Sequence, residues 1–286
     1  MSRSSAIVIV RRRLAASPIF LPSIVEGGYR PIMTTAGTST FLPIDAETLL
    51  VVRRLEKVAF AMLAFPMLNG LLLPFTGENL LLFWIVDTIQ FVIITGICWF
   101  YLFSKWKYSP AMFGLTLPST TRETNVLLVH TAFWIAVFPW LILTLYALTL
   151  CIFPWQTYPA AFSFHSVLPD SIQARTMIAI YGSIGGGVVE EFLYRGVLVA
   201  LFRRYNMSSS MIVLVVSCIF SYIHWETGLF NIPSTFVLSI FITAYYLKTN
   251  KLFPLVISHA ICDMILFLQP EWSGSYMQWI WDMIYS

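Results

Sequence analysis

Charge is what this chain has least of: 11% of its 286 residues are Asp, Glu, Lys or Arg, against about a quarter in soluble domains. With 58% hydrophobic residues and a mean hydropathy of +0.78, the composition excludes a soluble globular domain and reads as a polytopic membrane protein. The net charge of +3 comes with no basic run interleaved with aromatics, so nucleic-acid binding has no support. Cysteine is equally sparse. Cys98, Cys151, Cys218 and Cys262 show no Cys-x-x-Cys spacing, which leaves them as small buried apolar residues rather than thiolate ligands. No His-Glu-x-x-His helix occurs, which removes a zincin reading. No internal repeat is visible, which argues against a transporter built from repeated halves.

What is present falls into two parts. Residues 1–50 are basic and rich in Ser and Thr, with Arg3, Arg11, Arg12, Arg13 and Arg30 and no acidic residue before Glu26. They read as a flexible cytoplasmic tail, with Met33 as an alternative start of translation. Residues 51–286 read as an all-α transmembrane bundle of about seven spans, near 58–75, 80–103, 126–153, 176–202, 207–224, 230–247 and 252–268, each close to the roughly 20 helical residues that cross a hydrocarbon core. After Pro270 an aromatic stretch with Trp272, Tyr276, Trp279 and Trp281 reads as an interfacial piece. Basic residues gather in alternate loops, among them Arg53, Arg54, Lys57, Lys105, Lys107, Arg203, Arg204, Lys248 and Lys251. The positive-inside rule then places the N-terminus in the cytoplasm of a multi-pass plasma-membrane protein.

Inside this apolar background, Gly185 to Gly196 holds Glu190, Glu191 and Arg195. A charge at membrane depth is costly unless it is paired or faces a polar cavity, and such residues mark working sites. Glu191 and Arg195, four apart on a helix, share a face and neutralise each other. Glu190 points about 100° away and is left to face something else. His224 ends a later span four residues after Phe220, and His259 precedes Asp263 by four in the last. Counting about 1.5 Å per residue from the basic loops puts Glu190, His224, His259 and Asp263 at comparable depth. A buried carboxylate and an imidazole make an acid/base pair that activates water, and the same four residues suit a divalent metal such as zinc. Either route leads to hydrolysis. The plainer alternative is an ion-pair network that fixes helix packing.

At these residues the sequence resembles the CAAX-processing and bacteriocin-processing intramembrane proteases, which include the type II CAAX prenyl endopeptidases. Glu190, Glu191 and Arg195 match a Glu-Glu-x-x-x-Arg motif, Phe220 and His224 match Phe-x-x-x-His, and His259 and Asp263 match His-x-x-x-Asn/Asp, in family order over 175–270. The resemblance implies an intramembrane endopeptidase in which Glu190 and His224 activate water and His259 and Asp263 hold the scissile carbonyl, with Glu191 and Arg195 in support. It implies membrane lipids and a peptide or protein substrate as partners, a lipidated substrate being one option. The metal stays open, because the family has been described both as metallo- and as glutamic proteases. Asp263 stands where the prenyl endopeptidases carry Asn. A reading from another class is a non-catalytic membrane adaptor or immunity protein that binds a partner membrane protein.

Overall fold

The computed structural model describes residues 29–33, 39–43, 45–76, 80–152, 171–227, 231–268 and 271–285. The chain forms two units, Met1–Leu49 and Leu50–Ser286. In the first, strand β1 (Tyr29–Met33) pairs antiparallel with β2 (Ser39–Pro43), in a register running from Tyr29 opposite Pro43 to Met33 opposite Ser39. Tyr, Ile, Thr and Phe favour extended backbone, and a two-stranded ribbon has the free edge that Pro31 needs. The segment expected to be a flexible tail thus carries a hairpin, and the all-α expectation applies from Ala46 on.

There every regular element described is helical: α1 (Ala46–Thr76), α2 (80–105), α3 (Thr121–Ile152), α4 (172–204), α5 (Ser209–Ile223), α6 (Asn231–Thr249), α7 (Phe253–Leu268) and α8 (Glu271–Tyr285). Their starts are set by caps. The Asp45 carboxylate accepts from the Thr48 backbone N–H at 2.7 Å, and the Ser171 and Ser208 hydroxyls accept from Ala174 and Met211 at 3.2 and 3.3 Å. Two runs are not purely α. In α2, π turns occupy Ile89–Ile94 and Phe100–Lys105; in α4, they occupy Gly186–Glu190 and Phe192–Leu198. Such turns recur at functional sites.

The seven expected spans fall on α1 to α7. Two stretches, Trp84–Lys105 and Thr121–Ile152, are long and apolar enough to cross a membrane, or three if α7 and the helix bent 96° from it count as one, among the described residues. The count falls short of seven partly because inner helices carry polar residues: α6 buries Ser234, Thr235, Ser239 and Thr243. Outward-facing side chains are nonetheless apolar. Phe60, Ile97, Val129, Met177 and Phe241, on five different helices, are each more than half exposed, a surface suited to lipid rather than water. The molecule is a helical membrane protein.

One end is tied together by polar contacts. Arg203 donates to the Asn250 side chain at 2.9 Å, Tyr205 bonds Glu56, the Leu252 backbone N–H reaches the Gly114 carbonyl at 3.1 Å, and Arg54 lies over the Trp106 ring at 5.1 Å. Arg54 and Arg203 therefore share this end. Burial pushes the Tyr205 phenol well above its ordinary value. Gly114, at φ +74°, must be glycine: a Cβ would sit 2.7 Å from the Tyr246 ring. Trp99, Phe103 and Phe113, with Phe192 of the charged segment of α4, form an aromatic group of edge-to-face and tilted pairs, with centroids 5.2 to 6.2 Å apart.

At the other end α8 folds onto α3. Tyr276 shares a hydrogen bond of 2.9 Å with Thr144, and its ring meets Trp140 at 4.7 Å. The aromatic stretch expected at an interface is a helix docked on the bundle.

Candidate active site

Two glycines bring the site together. At Gly187 a Cβ would lie 2.8 Å from the Val256 carbonyl and 2.8 Å from the Ala260 N–H nitrogen, so only glycine lets α4 lie this close to α7. At Gly186 a Cβ would fall 2.5 Å from Asp263 Oδ2. The space of a missing side chain is thus filled by the Asp263 carboxylate.

One turn further along α4, Glu191 and Arg195 are both fully buried, and Arg195 Nη1 donates to Glu191 Oε1 at 3.0 Å. The rest of the guanidinium is held by α5 and α6. Nη2 donates to Ser239 Oγ at 2.9 Å, and the planar group lies 4.5 Å from the Phe220 ring centroid. Nε has no hydrogen-bond partner among the described residues. A buried charge needs this kind of pairing, because the desolvation of each ion costs several kcal/mol.

Glu191 Oε1 also takes a second hydrogen bond, 2.8 Å from His259 Nδ1. A carboxylate oxygen accepts, so Nδ1 carries a proton and donates it, and Nε2 faces the rest of the site. Nε2 lies 3.5 Å from Asp263 Oδ1 and 4.0 Å from Glu190 Oε2. The ring is clamped by Phe138 of α3, stacked at 5.4 Å and 25°. His224 caps the end of α5, and its Nδ1 donates to the Phe220 carbonyl at 2.7 Å, which assigns the proton-exchanging lone pair to Nε2. Phe220 separates the two imidazoles, 4.7 Å from His224 and 6.4 Å from His259 between ring centroids.

The structure therefore brings Glu190, Glu191, Arg195, His259 and Asp263 into one buried group on α4 and α7. His224 stands across Phe220 from them. Among the described residues, no three His, Cys, Asp or Glu side chains are arranged to hold a metal ion.

Several residues outside the motifs take part. Ser239 and Phe138 hold Arg195 and His259; a Ser or Phe in a span carries no signal that would single it out. Asp87 of α2 accepts from Tyr181 of the neighbouring helix α4 at 2.8 Å, as a hydrogen-bonded packing residue would. His130 bonds the Tyr245 hydroxyl at 2.6 Å. His165, expected in an outer loop, lies outside the described residues.

Comparison with known proteins bears on the same stretch. Residues 172–265, from the start of α4 to Asp263 and just beyond, match the family model for Type II CAAX prenyl endopeptidase Rce1-like proteins. Comparisons with curated proteins and with solved structures returned no match. The matched stretch, residues 172–265, holds all three motifs on which the sequence resembles the CAAX-processing and bacteriocin-processing endopeptidases.

Proposed function

We propose that this protein is an intramembrane endopeptidase that hydrolyses a peptide bond of a membrane-associated peptide or protein with water activated at Glu190 and His224. The observation that carries the reading is the group of Glu190, Glu191, His259 and Asp263 on two helices whose close approach at Gly187 requires glycine.

Each residue has a part. Glu190 and His224, through Nε2, share the activation of water: one takes a proton as the water oxygen bonds to the carbonyl carbon. That proton goes to the amine nitrogen as the C–N bond breaks. His259, held through Nδ1 by Glu191, donates from Nε2 in its imidazolium form to the tetrahedral oxygen, and Glu191 balances its charge. Asp263, 3.5 Å from the same nitrogen, fixes the ring from the other side. Arg195 keeps Glu191 ionised and in place.

Helices α1 to α7 serve as the seven spans of a plasma-membrane protein, with the basic end in the cytoplasm. Lipid-facing apolar residues on α1, α2, α3, α4 and α6 support this placement. By the name of the matched family, a prenylated C-terminal peptide is the substrate class to try first.

The test is cleavage in liposomes of a library of membrane-tethered peptides, prenylated and not, by wild type, Glu190→Ala and His224→Ala, each with and without chelator. Wild type should cut and both variants should fail. Cutting that survives both substitutions removes the assignment and moves the adaptor reading ahead.

A further inference from the structure

At the end of the bundle where Leu252 meets Gly114, a cavity of about 350 Å³ opens between α3, the loop that precedes it and the turn from α6 into α7. Small-molecule sites commonly hold about 300 to 1,000 Å³. Among the described residues that line it, none belongs to the candidate active site. Glu123 brings a negative charge to the cavity and Lys251 a positive one, while Leu117, Leu127 and Phe253 make its apolar wall.

Both charges are held in place without being used up. Ser119 donates twice to Glu123 Oε2, from its backbone N–H at 2.7 Å and from its hydroxyl at 2.9 Å, and Oε1 accepts nothing among the described residues. Lys251 follows Asn250, which sits in the left-handed region at φ 52° and is anchored to Arg203 at 2.9 Å and to the Ala111 carbonyl at 3.4 Å. It precedes Leu252, whose N–H reaches the Gly114 carbonyl at 3.1 Å. The backbone around Lys251 is thus fixed on both sides, and its half-buried ammonium makes no hydrogen bond or ion pair among the described residues. Helix capping accounts for Glu123 Oε2, and the gathering of basic residues on one side of a membrane accounts for a lysine at this end. Neither accounts for a carboxylate oxygen and an ammonium that line one cavity with no partner of their own.

We propose that this cavity binds the headgroup of an aminophospholipid, a phosphodiester joined to a primary ammonium as in phosphatidylethanolamine. Lys251 donates to the phosphate, and Glu123 Oε1 accepts from the ammonium. The pair selects on both charges. A purely anionic headgroup leaves Glu123 facing like charge. A choline headgroup has no N–H for Glu123, and quaternary ammonium groups are recognised by aromatic cages, whereas Phe253 is the one aromatic among the described lining residues. The rim favours a lipid over the soluble headgroup: Leu117 is 79% exposed, and Val126, Val129 and Phe133 of α3 are exposed further along the helix, where acyl chains can lie. This inference stands apart from the protease reading and rests on the bundle lying in a membrane.

The test places the full chain in bilayers of equal parts phosphatidylethanolamine, phosphatidylglycerol and phosphatidylcholine and reads the lipid retained on extraction by native mass spectrometry. Wild type should retain phosphatidylethanolamine over either other lipid by about tenfold, the worth of one hydrogen bond to a charged group. Lys251→Gln should lose that retention. Glu123→Gln should retain phosphatidylglycerol as readily as phosphatidylethanolamine, and its amide oxygen still accepts from Ser119. Wild type alone supplies a reading that needs no variant to fold: a dimethylated headgroup, which keeps one N–H, should be retained and the trimethylated one should not. Soluble phosphoethanolamine added to protein in phosphatidylcholine bilayers should leave the melting temperature unchanged, whereas phosphatidylethanolamine in the bilayer should raise it. Equal retention of all three lipids by wild type, retention unchanged in both variants, or dimethylated and trimethylated headgroups held alike overturns the proposal. Stabilisation by soluble phosphoethanolamine equal to that by the lipid overturns the lipid as the source.

Discussion

Replacing Gly187 by Ala adds one methyl group at the seam on which the whole site depends. It would lie 2.8 Å from two backbone atoms of α7, where ordinary contact begins at 3.4 Å, so the helices must part by about 0.6 Å. Neither atom belongs to a flexible side chain, so the strain has no inexpensive outlet. Overpacking of this kind costs about 1 to 3 kcal/mol. The separation also carries Glu191 away from His259, stretching a hydrogen bond of 2.8 Å past the useful range of about 3.2 Å. Misplacing catalytic groups by this amount lowers rates by up to about a hundredfold. Gly185→Ala is the internal control, because nothing lies within 4 Å of its Cβ position; there the better helix propensity of Ala is neutral or stabilising by up to about 1 kcal/mol. Thermal melting and peptide cleavage in liposomes should separate the two variants in opposite directions. If Gly187→Ala melts and cuts like Gly185→Ala, the close approach of α4 and α7 does not hold the site.

Other substitutions probe the supports. Ser239→Ala leaves Nη2 of the buried Arg195 without its acceptor, and melting should report a loss of about 1.5 to 3 kcal/mol. Arg195→Met strands the Glu191 carboxylate and should cost about 3 to 5 kcal/mol. Arg195→Lys should rescue part of this and not all, since an ammonium lacks the planar fork that reaches Glu191 and Ser239 together. Chelator treatment followed by dialysis should leave cleavage unchanged; activity lost to chelator and restored by zinc would replace the direct Glu/His route with the metal route.

Local spacing made part of the site legible in the sequence. The four-residue step from Glu191 to Arg195, and from His259 to Asp263, fixes same-face pairs on any helix, and both pairs are present at 3.0 and 3.5 Å. Depth counted from basic loops suggested that Glu190, His224, His259 and Asp263 share a layer; Glu190 and Asp263 lie beside His259, while His224 stands across Phe220. What spacing does not carry is which partner a group chooses across helices. His259 turns its Nδ1 to Glu191, a choice set by how α4 and α7 face each other. Of the run Gly185 to Gly187, Gly186 and Gly187 make close approaches to α7 and Gly185 does not. The pairing of β1 with β2 has no clear signal in a segment rich in Arg and Ser.

The most direct test of the central claim is the rate at which Glu190→Gln cleaves a membrane-tethered peptide in liposomes, measured beside wild type of equal melting temperature. The substitution keeps shape and burial and removes only the base. A loss of about a thousandfold is the predicted result, the usual worth of a positioned general base. Cleavage at the wild-type rate would contradict it and leave Glu190 as a packing residue.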